Sequence, residues 1–150
     1  ACAQGWLPPS QAALRCHSAG ACFSVHLVDS SYADARSACG SRRGSLAWVS
    51  SEPELRLLLG LLAEVGAGPA PSLFWVGLRR NASACTYAER PLRGFSWEGA
   101  GGEAVLQEMP AALGRWAKEP RISCTTMRCA GLHLAPAAAP GGGPNWGWKE

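Results

Sequence analysis

Apolar and polar residues alternate along residues 22–27, and this period of two predicts a β-strand with Phe23, Val25 and Leu27 on one face. Residues 72–78 are almost continuously apolar, which is typical of a central strand buried on both faces. Apolar runs at residues 46–49 and 129–134 predict two further short strands.

The period changes to that of an α-helix in two segments. Ser31 followed by Asp34 predicts the start of a first helix. A second helix is marked by Ser51 and Glu54, which match a capping box, and by Pro53, whose missing N–H costs nothing in the first turn. The apolar stripe of this second helix consists of Leu55, Leu58, Leu59 and Leu62. We expect the stripe to face the core.

Regular patterns are absent from two parts of the chain. Residues 1–15 show no period, and we interpret them as a flexible lead-in. Residues 79–121 predict long loops that hold Phe95, Trp97 and Trp116. Two helices followed by short strands and long loops indicate a single α+β domain over residues 16–150.

The cysteine content narrows the class of protein. The 150-residue chain has seven cysteines, which is rare in a cytosolic protein that binds no metal. The closest pairs, Cys16 with Cys22 and Cys124 with Cys129, have no histidine at zinc-finger spacing. Disulfides, and hence an extracellular chain, are favoured. The sequon that begins at Asn81 predicts N-glycosylation and indicates the same compartment.

Charge and hydropathy exclude two classes of partner. The net charge is only +3 and the basic residues are scattered, whereas a nucleic-acid-binding surface needs a basic stripe. The longest apolar stretch, residues 55–65, includes Arg56 and Glu64 and is far shorter than a membrane span. We therefore expect neither nucleic-acid binding nor direct membrane insertion by this segment.

Enzymatic activity is not predicted. The sequence has no phosphate-binding loop, nucleophile elbow or zinc-protease motif. Glu103, Glu108 and Glu119 leave a small secreted hydrolase only as a remote alternative, because acidic loop residues are usually just solvated. We assign no catalytic residue, metal or cofactor.

In this order, the elements resemble a C-type-lectin-like domain. The family's core-strand motif Trp-Ile-Gly-Leu is matched by residues 75–78, with Val76 in place of Ile. Residues that match in the family's order are Cys16, Cys22, Phe23, Cys39, Trp116, Glu119, Pro120, Cys129 and Trp148. Residues 91–97, with Cys85 and Cys124, are similar to the thrombomodulin, endosialin and complement-receptor-like group.

The resemblance implies a double-looped fold with two helices and short antiparallel strands. It also implies the disulfides Cys16–Cys22 and Cys85–Cys124. The second disulfide would close a loop of about 40 residues and contribute roughly 4 kcal/mol on the chain-entropy estimate.

Two further cysteines depart from the family pattern. In the family, the residues matched by Cys39 and Cys129 pair with cysteines beyond the final Trp. No such cysteines follow Trp148 in this chain. We therefore expect Cys39 and Cys129 to be unpaired and the domain to be truncated before its last strand.

The resemblance also bears on calcium. Sugar-binding members hold the ion with Glu-Pro-Asn, a carboxylate before the late strand and Asn-Asp after the final Trp. Here Arg121 follows Glu119 and Pro120, Arg128 precedes the strand, and Lys149 follows the final Trp. Calcium requires six to eight oxygen ligands, so we expect calcium-independent binding.

The expected function is that of a receptor ectodomain on the extracellular side of a single-pass type I membrane protein. We expect it to recognise a protein, in particular a matrix glycoprotein, through residues 95–128, and the sequence leaves a contribution from glycans open. The candidate ligand-binding residues are Trp97, Arg115, Trp116, Lys118 and Arg121, although packing beneath the loops is the favoured reading for the two tryptophans. A carbohydrate-binding lectin is the alternative, and an inert spacer a third reading. Because Asn81 is outside residues 95–128, we expect its glycan to affect solubility more than ligand binding.

Overall fold

A computed structural model describes residues 2–5, 13–16, 20, 22–27, 30–65, 72–81, 89–99, 103–105, 110–121, 127–135 and 145–150. Within these residues the chain forms two helices and an eight-stranded, mostly antiparallel sheet, which confirms the α+β class. The helices are α1 (Tyr32–Ser41) and α2 (Glu52–Val65). The strands are β1 (Cys2–Gly5), β2 (Ala13–Cys16), β3 (Cys22–Leu27), β4 (Ser72–Arg80), β5 (Ser96–Glu98), β6 (Ala104–Val105), β7 (Arg128–Ala135) and β8 (Asn145–Lys149).

The apolar strand β4 organises the sheet. On one edge it pairs with β7 along its length, from Ser72 opposite Leu134 to Arg80 opposite Arg128. On its other edge it pairs first with β1 and then with β5. The register with β7 shifts between Trp75 and Leu78, as in a β-bulge. Strand β4 is thus the predicted central strand.

The N-terminal residues do not form the expected lead-in. Strand β1 pairs in parallel with β3, and β2 pairs with β3 in the antiparallel sense. Residues 2–5 and 13–16 are therefore part of the sheet. The expectation was wrong there because backbone pairing along an open strand edge requires no side-chain period.

Side-chain caps fix the start of both helices. The Ser31 hydroxyl accepts a hydrogen bond from the Asp34 N–H at 3.2 Å, as predicted for α1. The Glu54 N–H donates to the Ser51 hydroxyl at 3.4 Å, and the Glu54 carboxylate accepts from the Ser50 N–H at 2.9 Å. These contacts satisfy N–H groups that have no partner within a helix.

Helix α2 packs its leucine stripe into the core as expected, with one change. The buried leucines are Leu55, Leu58, Leu61 and Leu62, so Leu61 takes the place expected for Leu59, which is only partly buried. The helix covers the same core as Phe23, Val76 and Trp97.

A buried carboxylate joins α1 to the sheet. Glu98, at the end of β5, is only 4% exposed. It accepts a hydrogen bond from the Tyr32 hydroxyl at 2.6 Å and pairs with Arg36 at 2.7 Å and Arg79 at 3.5 Å. Burial, followed by the hydrogen bond to Glu98, raises the pKa of Tyr32 far above its usual range. This cluster borders a cavity of ≈200 Å³ between α1 and β5, which none of the predicted ligand-binding residues lines.

Candidate functional site

The candidate site is built on residues 115–121, which we call the recognition segment. Its first residues run beside β8, where the Trp148 N–H donates to the Arg115 carbonyl and the Ala117 N–H donates to the Trp148 carbonyl, each at 2.9 Å. A Cβ at Gly147 would lie 2.3 Å from the Ala117 nitrogen, so this close approach requires glycine. The Trp148 indole N–H also donates to the Leu113 carbonyl at 2.5 Å. Buried Trp148 therefore fixes the base of the segment.

The two predicted aromatic ligand-binding residues are packed into the domain. Trp97 is 1% exposed and makes an edge contact with Trp148 at 5.4 Å between ring centroids. Its assignment to a ligand surface was wrong, because its strand β5 faces the core. Trp116 is half-buried, its indole N–H donates to the Pro91 carbonyl at 2.9 Å, and its ring lies 5.2 Å from that of Phe95. Trp116 therefore supports the segment from below.

The three predicted basic residues are all exposed on the recognition segment. Arg115 lies over the Trp146 ring at 5.5 Å and donates to the Asn145 side-chain oxygen at 3.4 Å. Lys118 and Arg121 are exposed. The fold thus brings the basic residues, but not the tryptophans, to the surface.

The carboxylate of Glu119 is engaged by an arginine. Arg93 Nε lies 3.0 Å from Glu119 Oε2, and Arg93 Nη2 lies 3.1 Å from Oε1, which is a two-pronged fork. The hydrogen bond from Arg93 lowers the pKa of Glu119 below its usual value of 4.5. Arg93 has a φ of 53° and precedes Gly94 at φ 83°, so a left-handed turn aims this guanidinium.

Glu150, two residues after the final Trp, lies where sugar-binding members of the family hold calcium with Asn-Asp, and it is also engaged. Glu150 Oε1 pairs with Arg128 at 2.9 Å, and Glu150 Oε2 accepts a hydrogen bond from the Arg121 N–H at 3.1 Å. In the described part of the chain, no group of three or more His, Cys, Asp or Glu residues is arranged to hold a metal.

Sequence analysis did not identify Arg80 as a contributor to the site. Arg80 ends β4 and is 3% exposed, yet none of the described carboxylates pairs with it. Its guanidinium donates to the carbonyls of Arg93 at 3.3 Å and Arg121 at 2.5 Å and lies 5.0 Å from the Phe95 ring centre. The apolar run that precedes Arg80 only weakly indicated that this side chain is buried, because an arginine after such a run usually faces solvent.

The cysteines agree only partly with the expectations. The disulfide Cys16–Cys22 is present and closes the β2–β3 hairpin, which confirms that pair. Cys39 is disulfide-bonded, so the expectation that it is unpaired was wrong. Cys39 is fully buried on the inner face of α1. The cysteine to which it is bonded lies outside the described side chains. The predicted pair Cys85 and Cys124 also lies outside the described residues.

Cys129 is a free thiol, as predicted. It begins the buried part of β7 and is itself half-buried. Burial raises the pKa of this thiol, the charge of Glu98 raises it further, and that of Arg79 opposes the shift. The thiol is therefore a weak nucleophile near neutral pH.

Known proteins resemble this chain in sequence, although no protein-family model matches it. It is 40% identical over 145 residues to human C-type lectin domain family 14 member A, which covers 90% of this chain and 26% of the relative. It is 36% identical over 119 residues to rat complement component C1q receptor (76% of this chain, 17% of the relative). It is 31% identical over 131 residues to mouse endosialin (87% and 15%).

The chain belongs to the C-type-lectin-like family. The expected resemblance, including its group, is confirmed. These relatives are cell-surface proteins, so this C-type-lectin-like domain lies on the extracellular side of the membrane. The domain spans about a quarter or less of the length of the relatives named here. Within the described residues, neither helix is both long and apolar enough to cross a bilayer.

Proposed function

We propose that this domain is a calcium-independent binding module of a cell-surface receptor and recognises an extracellular protein through the recognition segment. The ligand class is a matrix glycoprotein, and the setting is cell adhesion or vascular biology. The supporting observation is the arginine fork on Glu119, which engages an expected calcium-binding carboxylate while Lys118 and Arg121 remain exposed beside it.

Electrostatics favours this proposal over a calcium-dependent site. A calcium ion bound at Glu119 would displace Arg93 and leave its charge close to the ion. Two charges about 4 Å apart repel by roughly 2 kcal/mol in water when one is divalent, and by more near a protein surface. Arg128 and Lys149 add positive charge around Glu150, the other acidic residue at the expected position.

The exposed charges of the recognition segment suggest the chemistry of its ligand. Arg115, Lys118 and Arg121 are cationic within seven residues of each other. Such a surface favours an acidic protein surface, and complementary charge chiefly accelerates association and sets specificity. Acidic glycans on a matrix glycoprotein would add to the same interaction.

A carbohydrate-binding lectin is the alternative within the same family. The family resemblance supports it, whereas the engaged carboxylates count against the calcium-dependent form. Competition by free monosaccharides distinguishes the two functions. Free sugars compete for the binding site of a lectin, but not for a surface that binds protein. We propose no enzymatic function, and the names of the relatives describe lectin-like proteins and a receptor.

The experiment measures binding of the fluorescent, multivalent intact protein to cell-free matrix deposited by cultured fibroblasts. We expect equal binding in millimolar calcium and in EDTA. The charge reversals Lys118→Glu and Arg121→Glu should together weaken binding at least about tenfold, since each removes an attraction and adds a repulsion. Binding that requires calcium, or that free monosaccharides abolish, would instead support the lectin.

Arg56→Glu is the matched control for each of the single variants Lys118→Glu and Arg121→Glu, because it makes the same change of two charge units at an exposed position on α2. It should leave matrix binding unchanged within about twofold. If the control weakens binding as much as the changes at Lys118 and Arg121, overall charge rather than the recognition segment drives binding, and the proposal fails.

A further inference from the structure

A buried arginine connects the sheet to the recognition segment. The Arg80 side chain is 3% exposed and hydrogen-bonds to carbonyl groups of Arg93 and Arg121. A buried guanidinium is unfavourable unless its donors are satisfied. Because these two carbonyls belong to different loop segments, Arg80 is fully satisfied only when both segments are in place.

The same two segments are joined by a second contact at the surface. Arg93 donates two hydrogen bonds to the Glu119 carboxylate, and Arg93 Nη1 donates a third to the Arg90 carbonyl at 2.8 Å. The Phe95 ring, at the end of this turn, has the Arg80 guanidinium 5.0 Å from its centre. The turn at residues 90–95 and the recognition segment are therefore connected by a buried contact through Arg80 and by an exposed contact between Arg93 and Glu119.

We propose that Arg80 is a positioning residue that fixes the backbone of the recognition segment and so presents Lys118 and Arg121 to the ligand. The inference rests on the proposed function for its consequence in binding, but the positioning itself is measured without a ligand.

Native-state hydrogen exchange of the unaltered intact protein is the first test. If Arg80 couples the segments, the protected amides at residues 93–95 and 115–121 open together, with the same dependence on denaturant. Independent opening of the two segments would overturn the proposal. This measurement requires no variant, so a folding defect cannot obscure it.

Charge-conserving variants provide the second test. Arg80→Lys keeps the positive charge, but a lysine cannot span both carbonyls with a planar fork. We expect exchange at residues 115–121 to become about tenfold faster, as for the loss of one charge-assisted hydrogen bond, while α2 is unaffected. Arg79→Lys is the matched control, since Arg79 is adjacent and contacts Glu98 instead.

The binding measurement separates this inference from the proposed function. With Arg80→Lys, binding to fibroblast matrix should fall about three- to tenfold without any change of net charge. Unchanged exchange at residues 115–121 in this variant would show that Arg80 only stabilises the core. If exchange quickens but Lys118→Glu and Arg121→Glu leave matrix binding unchanged, the positioning role stands and the proposed binding surface is wrong.

Discussion

Two regions of this domain hold a carboxylate with arginine, in opposite environments. Glu98 is buried between α1 and the sheet and has partners on both. Glu119 has a side chain that is 67% exposed and is held by the single fork of Arg93. The same chemical pair is therefore found both in the interior and at the proposed binding surface.

The difference shows that burial determines whether an ion pair chiefly stabilises the fold or chiefly orients a surface. A charge removed from water must keep all its partners, so losing one is costly. An exposed pair is weakened by solvent and salt and contributes little to global stability. The buried cluster is suited to hold α1 on the sheet, while the exposed fork is suited to orient a surface that must also meet a ligand.

The largest expected effect is at the buried carboxylate. Glu98→Ala removes the acceptor of Tyr32 and the counter-charge of Arg36 and Arg79. We expect the free energy of unfolding to fall by about 2–4 kcal/mol. Urea unfolding of the intact protein measures it, and Glu98→Gln, which keeps an acceptor for Tyr32, should cost less. A loss below about 1 kcal/mol would contradict the role assigned to this cluster.

The next largest effect is expected at Gly147, where the backbone of β8 packs closely against the recognition segment. Gly147→Ala forces a methyl group against the backbone of Ala117. We expect a destabilisation of about 1–3 kcal/mol, measured by thermal unfolding, because the backbone must shift. The control is Gly60→Ala, which has nothing within 4 Å of the new methyl group and should stabilise α2 by up to about 1 kcal/mol. Equal effects at both glycines would argue against close packing at Gly147.

The exposed fork should show its effect in pH dependence. The folded pKa of Glu119 lies below its usual 4.5, so its stabilising contribution is present above that pH and is lost as the pH falls through the folded value. We expect the NMR signals of the Lys118 and Glu119 amides to be constant from neutral pH to about 5 and to shift at lower pH. Arg93→Gln should move this transition upward toward 4.5 while lowering global stability by less than about 1 kcal/mol. An unmoved transition would show that the fork does not set this pKa.

The smallest effect on stability is expected from the Asn81 glycan, which we propose is present in a secretory host. Asn81 is exposed and directly follows Arg80, whose guanidinium contacts the Arg121 carbonyl. That the Asn81 glycan affects solubility more than ligand binding stays a prediction. Asn81→Gln should lose the glycan mass, lower the solubility, leave the melting temperature nearly unchanged and leave matrix binding within about twofold. Ser83→Ala removes the same sequon and should match it, and a mass insensitive to glycosidase would contradict occupancy.

The local patterns of the sequence determined the helices and the principal strands. The caps at Ser31 and Ser51 are contacts between residues three positions apart, so the pattern contains both partners. The strand at residues 72–80 was evident because two-sided burial requires nearly every residue to be apolar. The family motif within this strand then identified the fold.

Only the tertiary structure decided which side chains reach the surface of the site. Trp97 lies in the three-residue strand β5 and Trp116 in an irregular segment, and both segments are too short for a period to distinguish a buried ring from an exposed one. The pairs Arg93–Glu119 and Arg80–Arg121 join residues 26 and 41 positions apart. Such pairs exist only after the loops dock on β4 and β8. The sequence thus named the basic residues of the recognition segment, but their support depends on long-range contacts, which leave no periodic trace in the chain.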